Sequence, residues 1–216
     1  MARPLIQLAL DTLDVETTLG LARATADYID IFEIGTPSIK YNGAGLLKKL
    51  RAEFPKHKIL VDLKTMDAGA YEAAPFYADG ADIATVLGVS GEATIAGVIK
   101  AAKENGGKQV QVDLINVPDK AVCAKVSAAA GAQIIGVHTG LDAQAAGQTP
   151  FADLQLVADL KLGLTISVAG GIKASTAAQV VKAGAGIIVV GAAIYGAADP
   201  KAAAKEIYDV VVAASA

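Results

Sequence analysis

Short apolar runs rich in Val, Ile and Leu recur eight times along this chain, and no other property of the sequence limits its possible folds so tightly. They are "LIQLAL", "YIDIFEI", "KILVDL", "DIATVL", "QVQVDL", "QIIGV", "LTISVA" and "GIIVV". Between them lie stretches such as "VETTLGLARATADY", "GAGLLKKLRAEFP", "AYEAAPFYADG" and "EATIAGVIKAAKENGG", whose apolar residues fall near helical spacing. Several of these stretches close on Gly or Asn-Gly, as helix C-termini do. Strand then helix, eight times in 216 residues, is roughly 27 residues per unit, compact for the eightfold βα barrel. The pattern therefore predicts an α/β fold, a (β/α)8 TIM barrel in one domain over residues 1–216, with a doubly wound open sheet as the main competitor. No linker, charge block or low-complexity segment marks a second domain. The repetition is one of pattern and not of residues.

Composition narrows the function classes. Hydrophobic residues make up 53% of the chain, yet the uncharged stretch "AGAGIIVVGAAIYGAA" (183–198) is short for a membrane span and is broken by glycines. No transmembrane helix is expected. The start "MARPLIQLALD" reaches an acidic residue before a signal-peptide core could develop, so the cytoplasm is the expected compartment. A net charge of -3 offers no basic field for nucleic acid or anionic lipid, and an anionic ligand has to be gripped locally. The one cysteine, Cys123, excludes an internal disulfide and is read as a small residue packed in a helix.

In a barrel of this kind, functional side chains stand at the C-terminal ends of strands. Here those ends are polar. The first run ends at Asp11, the second at Glu33, the third at Asp62 and Lys64, the fifth at Asp113 with Asn116 after it, and the sixth at His138. The last two end in small residues, Gly170 and Gly171, then Gly191 and Ala192. Side chains alternate along a strand, so Asp62 and Lys64 share a face, as do Gln7, Ala9 and Asp11. Carboxylates at strand ends often cap the next helix, and Asp14 and Ser90 are read as such caps. Asp62 fits that role less well, since Lys64 and Asp67 follow before the next helix begins near Ala70. Burying Asp62, Lys64 and Asp67 for stability alone would be ineffective, because desolvation consumes most of the Coulombic gain. His57, in the turn "FPKHK", is expected to be solvent-exposed. The glycines after the last two strands could be simple turns, but main-chain N–H groups at that place in a barrel commonly hold a phosphate.

The Asp-x-Lys-x-x-Asp motif of Asp62, Lys64 and Asp67 resembles that of the orotidine 5'-phosphate decarboxylase suprafamily. Together "ALD", "EIGTP", "VDLKTMDAG", "TVLG", "VDLINV", "GVHTGLDAQAAG", "VAGGIK" and "GAAIYGAADP" resemble the 3-hexulose-6-phosphate synthase family, in barrel order and over essentially the whole chain. The resemblance implies a lyase of the ribulose monophosphate pathway, an aldolase that condenses formaldehyde with D-ribulose 5-phosphate through a Mg²⁺-stabilised enediolate. It implies Glu33 and Asp62 as Mg²⁺ ligands, His138 as the base, and Lys64 as donor to the enediolate oxygen with Asp67 holding that lysine charged. Asp11 would accept from substrate hydroxyls, and Gly170, Gly171, Gly191 and Ala192 would bind the 5-phosphate. It further implies a homodimer in which Asp67 crosses into the partner's site beside the partner's Lys64.

The related 3-keto-L-gulonate-6-phosphate decarboxylases carry arginine directly after the histidine, where this chain has Thr139, and a second arginine where it has Ala192. Orotidine phosphate decarboxylation is metal-free and uses a further lysine where this chain has Glu33. A barrel that only binds a sugar phosphate would need the glycines, but not the carboxylates, Lys64 and His138 as well.

Overall fold

A computed structural model describes residues 3–216. Eight parallel strands, β1 (Leu5–Leu10), β2 (Ile31–Ile34), β3 (Lys58–Thr65), β4 (Ile83–Leu87), β5 (Gln109–Asp113), β6 (Ile134–His138), β7 (Thr165–Ala169) and β8 (Ile187–Val190), pair in chain order. β8 pairs back onto β1 with Gln7 opposite Val189, which closes the barrel. The closed barrel excludes the open doubly wound sheet, and every apolar run predicts the core of one strand. No helix among the described residues is long and apolar enough to cross a membrane.

Two apolar populations hold the barrel. The larger lies between sheet and helices and includes Ile6, Leu8, Phe32, Ile59, Val112 and Val190. The smaller fills the barrel and includes Ile31, Leu60, Ile83, Ile134, Ile187 and Val189. Alternation assigns neighbours on one strand to opposite populations, as Leu60 and Val61 show. The register arranges the interior in layers of four from alternate strands. Ile31, Ile83, Ile134 and Ile187 seal the lower end. Above them lie Gln7, Leu60, Gln111 and Ser167, then Glu33, Thr85, Gly136 and Val189, then Ala9, Asp62, Asp113 and Ala169. The interior thus turns from apolar to polar in the direction in which the strands run.

A residue-level repeat appears at the lower end. The side chains of Asp30, Asp82 and Gln133, each just before an even-numbered strand, accept from the backbone N–H of Ile6, Ile59 and Val110 at 2.8, 2.9 and 3.0 Å. The helices follow ordinary end signals. Asp14 caps the helix Val15–Thr25 by accepting from Thr17 N at 2.8 Å, as expected. Ser90 is not a cap: it lies in a 3-10 turn (Gly88–Ser90), Gly91 precedes the helix Glu92–Glu104, and the Ser90 hydroxyl has no partner. The extra residue of the turn carries Ser90 out of capping position. His57 is also not free in solvent. It is half-buried, stacks on Phe32 with ring centroids 4.9 Å apart, and hydrogen-bonds Ala26 O at 3.1 Å. Cys123 sits in the helix Lys120–Ala130, half-buried and free, as read from the sequence.

Candidate active site

A cavity of about 730 Å³ opens at the C-terminal end of the barrel. Asp11, Glu33, Asp62, Lys64 and His138 all line it, and so do Gly170, Gly171, Gly191 and Ala192. Asp67 does not. It is exposed on the loop after β3, where its own side chain accepts from Ala68 N at 2.7 Å. Within one chain, then, Asp67 does not hold Lys64; Asp62 and Asp113 do.

The centre of the site is made by β3, β5 and β6. Lys64 pairs with Asp62 and lies 3.6 Å from Asp113 Oδ2. Its backbone is left-handed at φ 47, in an irregularity of the β3–β4 register between Val61 and Thr65. The Lys64 N–H donates to Thr85 Oγ1 at 2.9 Å, and Thr85 Oγ1 donates to Asp62 Oδ1 at 2.8 Å. One threonine thereby fixes both the bulge and the carboxylate. Thr36 Oγ1 donates to Asp62 Oδ2 at 2.6 Å from the helix Thr36–Asn42. Burial works against the Lys64 ammonium, but Asp62 and Asp113 outweigh it and raise its pKa. The balance favours the charged lysine.

Asp113 joins the two catalytic candidates. Its Oδ2 lies 2.9 Å from His138 Nδ1, and its Oδ1 accepts from Ile115 N at 2.9 Å. With Nδ1–H donating to the carboxylate, Nε2 is left as the acceptor. Burial lowers the His138 pKa, yet the hydrogen bond and charge of Asp113 more than reverse that and raise it above the ordinary imidazole value. Asp113 is buried too, which raises its pKa, but His138 and Lys64 hold it below the usual carboxylate range.

On β1 and β2 the balance is the opposite. Burial, then the charge of Asp62, pushes Glu33 up to about 8, although Gln7 Nε2 donates to its Oε2 at 2.6 Å. Asp11 is raised by burial and by Asp62. It reaches the site because residue 35 is glycine: a Cβ there would lie 2.0 Å from Asp11 Oδ1. Four carboxylates, Asp11, Glu33, Asp62 and Asp113, thus share one ammonium. Among the described residues no three His, Cys, Asp or Glu side chains converge as a ready metal cage. The electrostatic deficit around Glu33 and Asp62 nonetheless suits a divalent cation that takes two protein oxygens and completes its shell from substrate and water.

The opposite rim is backbone. Among the described residues the N–H groups of Gly170, Gly171 and Gly191 donate to no other backbone group. Gly170 has φ 119, and a Cβ would sit 2.6 Å from Thr139 O, so only glycine fits. Thr139 itself is buried beside Gly170 and does not line the cavity. Lys173 lines the same rim.

The sequence marks Asp113 only as a polar strand end and does not single out Thr36, Thr85, Gln111 or Ser167. A polar residue at an inward position of an apolar strand is the signal that could have found Thr85, Gln111 and Ser167. Nothing local marks Thr36.

The chain matches the orotidine 5'-phosphate decarboxylase / HUMPS family over residues 4–207. It is 66% identical over 203 residues to a 3-hexulose-6-phosphate synthase of Methylomonas aminofaciens, covering 94% of this chain and 97% of that one. It is 46% identical over 204 residues to a protein of the same name from Mycobacterium gastri, covering 94% and 97%. The crystal structure of 3-hexulose-6-phosphate synthase from Salmonella typhimurium superposes with a TM-score of 0.94 at 38% identity, covering 97% of this chain and 99% of that one.

Proposed function

The chain is an enzyme of the orotidine 5'-phosphate decarboxylase / HUMPS family, and on that premise we propose that it condenses formaldehyde with D-ribulose 5-phosphate to give D-arabino-3-hexulose 6-phosphate. The observation that carries the reading is the contact of His138 Nδ1 with Asp113 at 2.9 Å, which turns Nε2 into an acceptor in a cavity shared with a charged lysine. A base and an adjacent cation are what proton removal beside a ketone requires.

His138 Nε2 removes the C1 proton of ribulose 5-phosphate. Lys64 donates to the enediolate oxygen, and Asp62 and Asp113 keep that lysine charged. The C1 carbon adds to formaldehyde; His138 then gives its proton to water, and the new alkoxide takes one. Asp11 accepts from substrate hydroxyls. The N–H groups of Gly170, Gly171, Gly191 and Ala192 bind the 5-phosphate. Glu33 and Asp62 would hold Mg²⁺, which when bound supplies positive charge to the substrate oxygens beside them.

The active assembly in this reading is a homodimer whose Asp67 enters the partner's site. Exposure of Leu13, Tyr41, Met66 and Tyr71 on the segments that follow β1, β2 and β3 supports it. Thr139 and Ala192 leave the cavity without the two arginines of the related decarboxylases, which favours condensation over loss of carbon dioxide.

The test is consumption of ribulose 5-phosphate with and without formaldehyde, each with Mg²⁺ and with excess EDTA. Consumption is expected only when formaldehyde and Mg²⁺ are both present. Turnover without formaldehyde overturns the aldol reading, and full activity in EDTA overturns the metal.

A further inference from the structure

Below the charged residues the barrel interior has a polar floor that the proposed chemistry leaves unused. Gln111 and Ser167 belong to the layer that rests on the four isoleucines, and both are more than nine-tenths buried. Both line the cavity. The Ser167 hydroxyl has no partner, and neither does Gln111 Oε1. Gln111 Nε2 donates to nothing among the described residues, whereas the neighbouring Gln7 amide is committed to Glu33. A buried amide and a buried hydroxyl that are both unpaired are costly unless something enters to meet them.

There is room for something to enter. Between them β6 carries Gly136, where a Cβ would come 3.0 Å from Gln111 Nε2. The Gln111 amide thus lies over the bare glycine, and a larger residue at 136 would crowd it. Gly136 precedes His138 by two residues, which sets it about 7 Å further down the same strand.

We propose that Gln111 and Ser167, on either side of Gly136 at the bottom of the cavity, form the binding site of the one-carbon aldehyde. The inference rests on the aldol reading above. Formaldehyde has two heavy atoms, no charge and one oxygen that accepts two hydrogen bonds, and the floor offers two neutral donors, an amide N–H and a hydroxyl. In this pose the oxygen points down to the donors and the carbon points up to C1. The electron pair at C1 forms the new carbon–carbon bond while the carbonyl π pair moves onto the oxygen. The two donors stabilise the charge as it develops there. The alkoxide takes a proton from water, and His138 returns to water the proton it removed from C1. Nothing is oxidised or reduced, and water refills the site when product leaves.

The two half-reactions separate this site from the rest of the machinery. Exchange of the C1 proton in deuterated buffer needs His138 and ribulose 5-phosphate but no formaldehyde. In Ser167→Ala and Gln111→Met proteins, exchange and the KM for ribulose 5-phosphate are expected to stay within about twofold of wild type. The KM for formaldehyde is expected to rise about tenfold for each, the size of one buried hydrogen bond. Gly136→Ala, which crowds the Gln111 amide and removes no donor, is a second variant with the same expected signature. A parallel fall of exchange and condensation, or an unchanged formaldehyde KM, overturns the site and leaves the floor a place for structural water. Wild-type protein that neither exchanges nor condenses overturns the aldol reading, and this site with it.

Discussion

The lower end of the barrel and the β1–β2 side of its upper end handle acidic residues in opposite ways. At the lower end, Asp30 accepts from Arg3 at 2.7 and 2.9 Å and from Ile6 N at 2.8 Å. Asp82 accepts from Lys108 at 2.8 Å and Ile59 N at 2.9 Å, and pairs with Arg51. Burial raises the Asp82 pKa, but these partners prevail and hold it below the usual range. At the upper end, burial and the charge of Asp62 push Glu33 up to about 8. The lower end gives its carboxylates more partners than they need; at the upper end Asp113 is matched by His138 and Lys64, while Asp11 and Glu33 have too few. The first arrangement stabilises a chain. The second stores a demand for positive charge that a ligand can meet.

The widest separation between the ends is expected in activity. His138→Asn keeps a polar side chain at the same place but removes the proposed base, so turnover and C1 exchange should fall about 10²–10⁴-fold with the fold intact. Exchange at the wild-type rate would place the base elsewhere. The pH profile carries the sign of the Asp113 contact. A base works only when neutral, and the His138 pKa is raised, so the acid limb should lie above the ordinary imidazole value near 6.5. Asp113→Asn removes the charge responsible, and the limb should move to lower pH. A limb that does not move would mean that another group titrates.

The lower end is satisfied within one chain, whereas Asp67 lies outside the upper cavity of its own chain. If that aspartate serves the partner, Asp67→Ala and Asp62→Ala proteins, each nearly inactive, should complement each other. Random exchange of subunits makes half the dimers mixed, each with one intact site of two. Activity should then recover to roughly a quarter of wild type. No recovery after verified exchange would return Asp67 to its own chain.

The same contrast governs how much could be read from the sequence. The strands were legible because their Val, Ile and Leu runs are buried on both faces, and the polar strand ends that interrupt those runs marked Asp11, Glu33, Asp62, Lys64 and His138. Asp113 was visible as a strand end, but its role depends on β5 and β6 lying side by side, which no local pattern states. The helix Thr36–Asn42 was missed because "TPSIKYN" carries a proline and little apolar periodicity, and it is held by Thr36 reaching across to Asp62. The slot filled by Asp30, Asp82 and Gln133 was missed because aspartate and glutamine share a function there but no spelling. Ser90 and His57 were misread for one reason: each was judged from its neighbours in sequence, and tertiary partners decided it.

Replacing acid by amide at each end should change stability in opposite directions. Asp82→Asn keeps the shape but removes the charge that Arg51 and Lys108 share. Unfolding free energy should drop by about 1.5–3 kcal/mol, with turnover of the remaining folded protein unchanged. The pH dependence follows from the depressed pKa: this stabilisation is full above the ordinary carboxylate value and is lost as pH falls through the folded one. The variant's stability should therefore vary less with pH in the acid range. Equal stability of variant and wild type at neutral pH would mean that the lower network is ornamental.

Glu33→Gln is the smaller and more revealing change. The folded pKa of Glu33 lies above the unfolded one, so the folded chain holds a proton that the unfolded chain has lost, and stability declines as pH rises from the ordinary glutamate value towards 8. The amide carries no such penalty, and its oxygen can still accept from Gln7. Metal-free Glu33→Gln protein should therefore be more stable than metal-free wild type by about 1 kcal/mol near pH 8, and by less as pH falls. Saturating Mg²⁺ should reverse the order, because an ion that binds only the folded state stabilises wild type by mass action, and the variant has lost one of the two ligands proposed for it. Thermal unfolding in EDTA and in Mg²⁺ measures both differences. A variant less stable than wild type in EDTA would show that Glu33 is a satisfied structural acid like Asp82, and the opposition between the two ends of the barrel would not hold at its central residue.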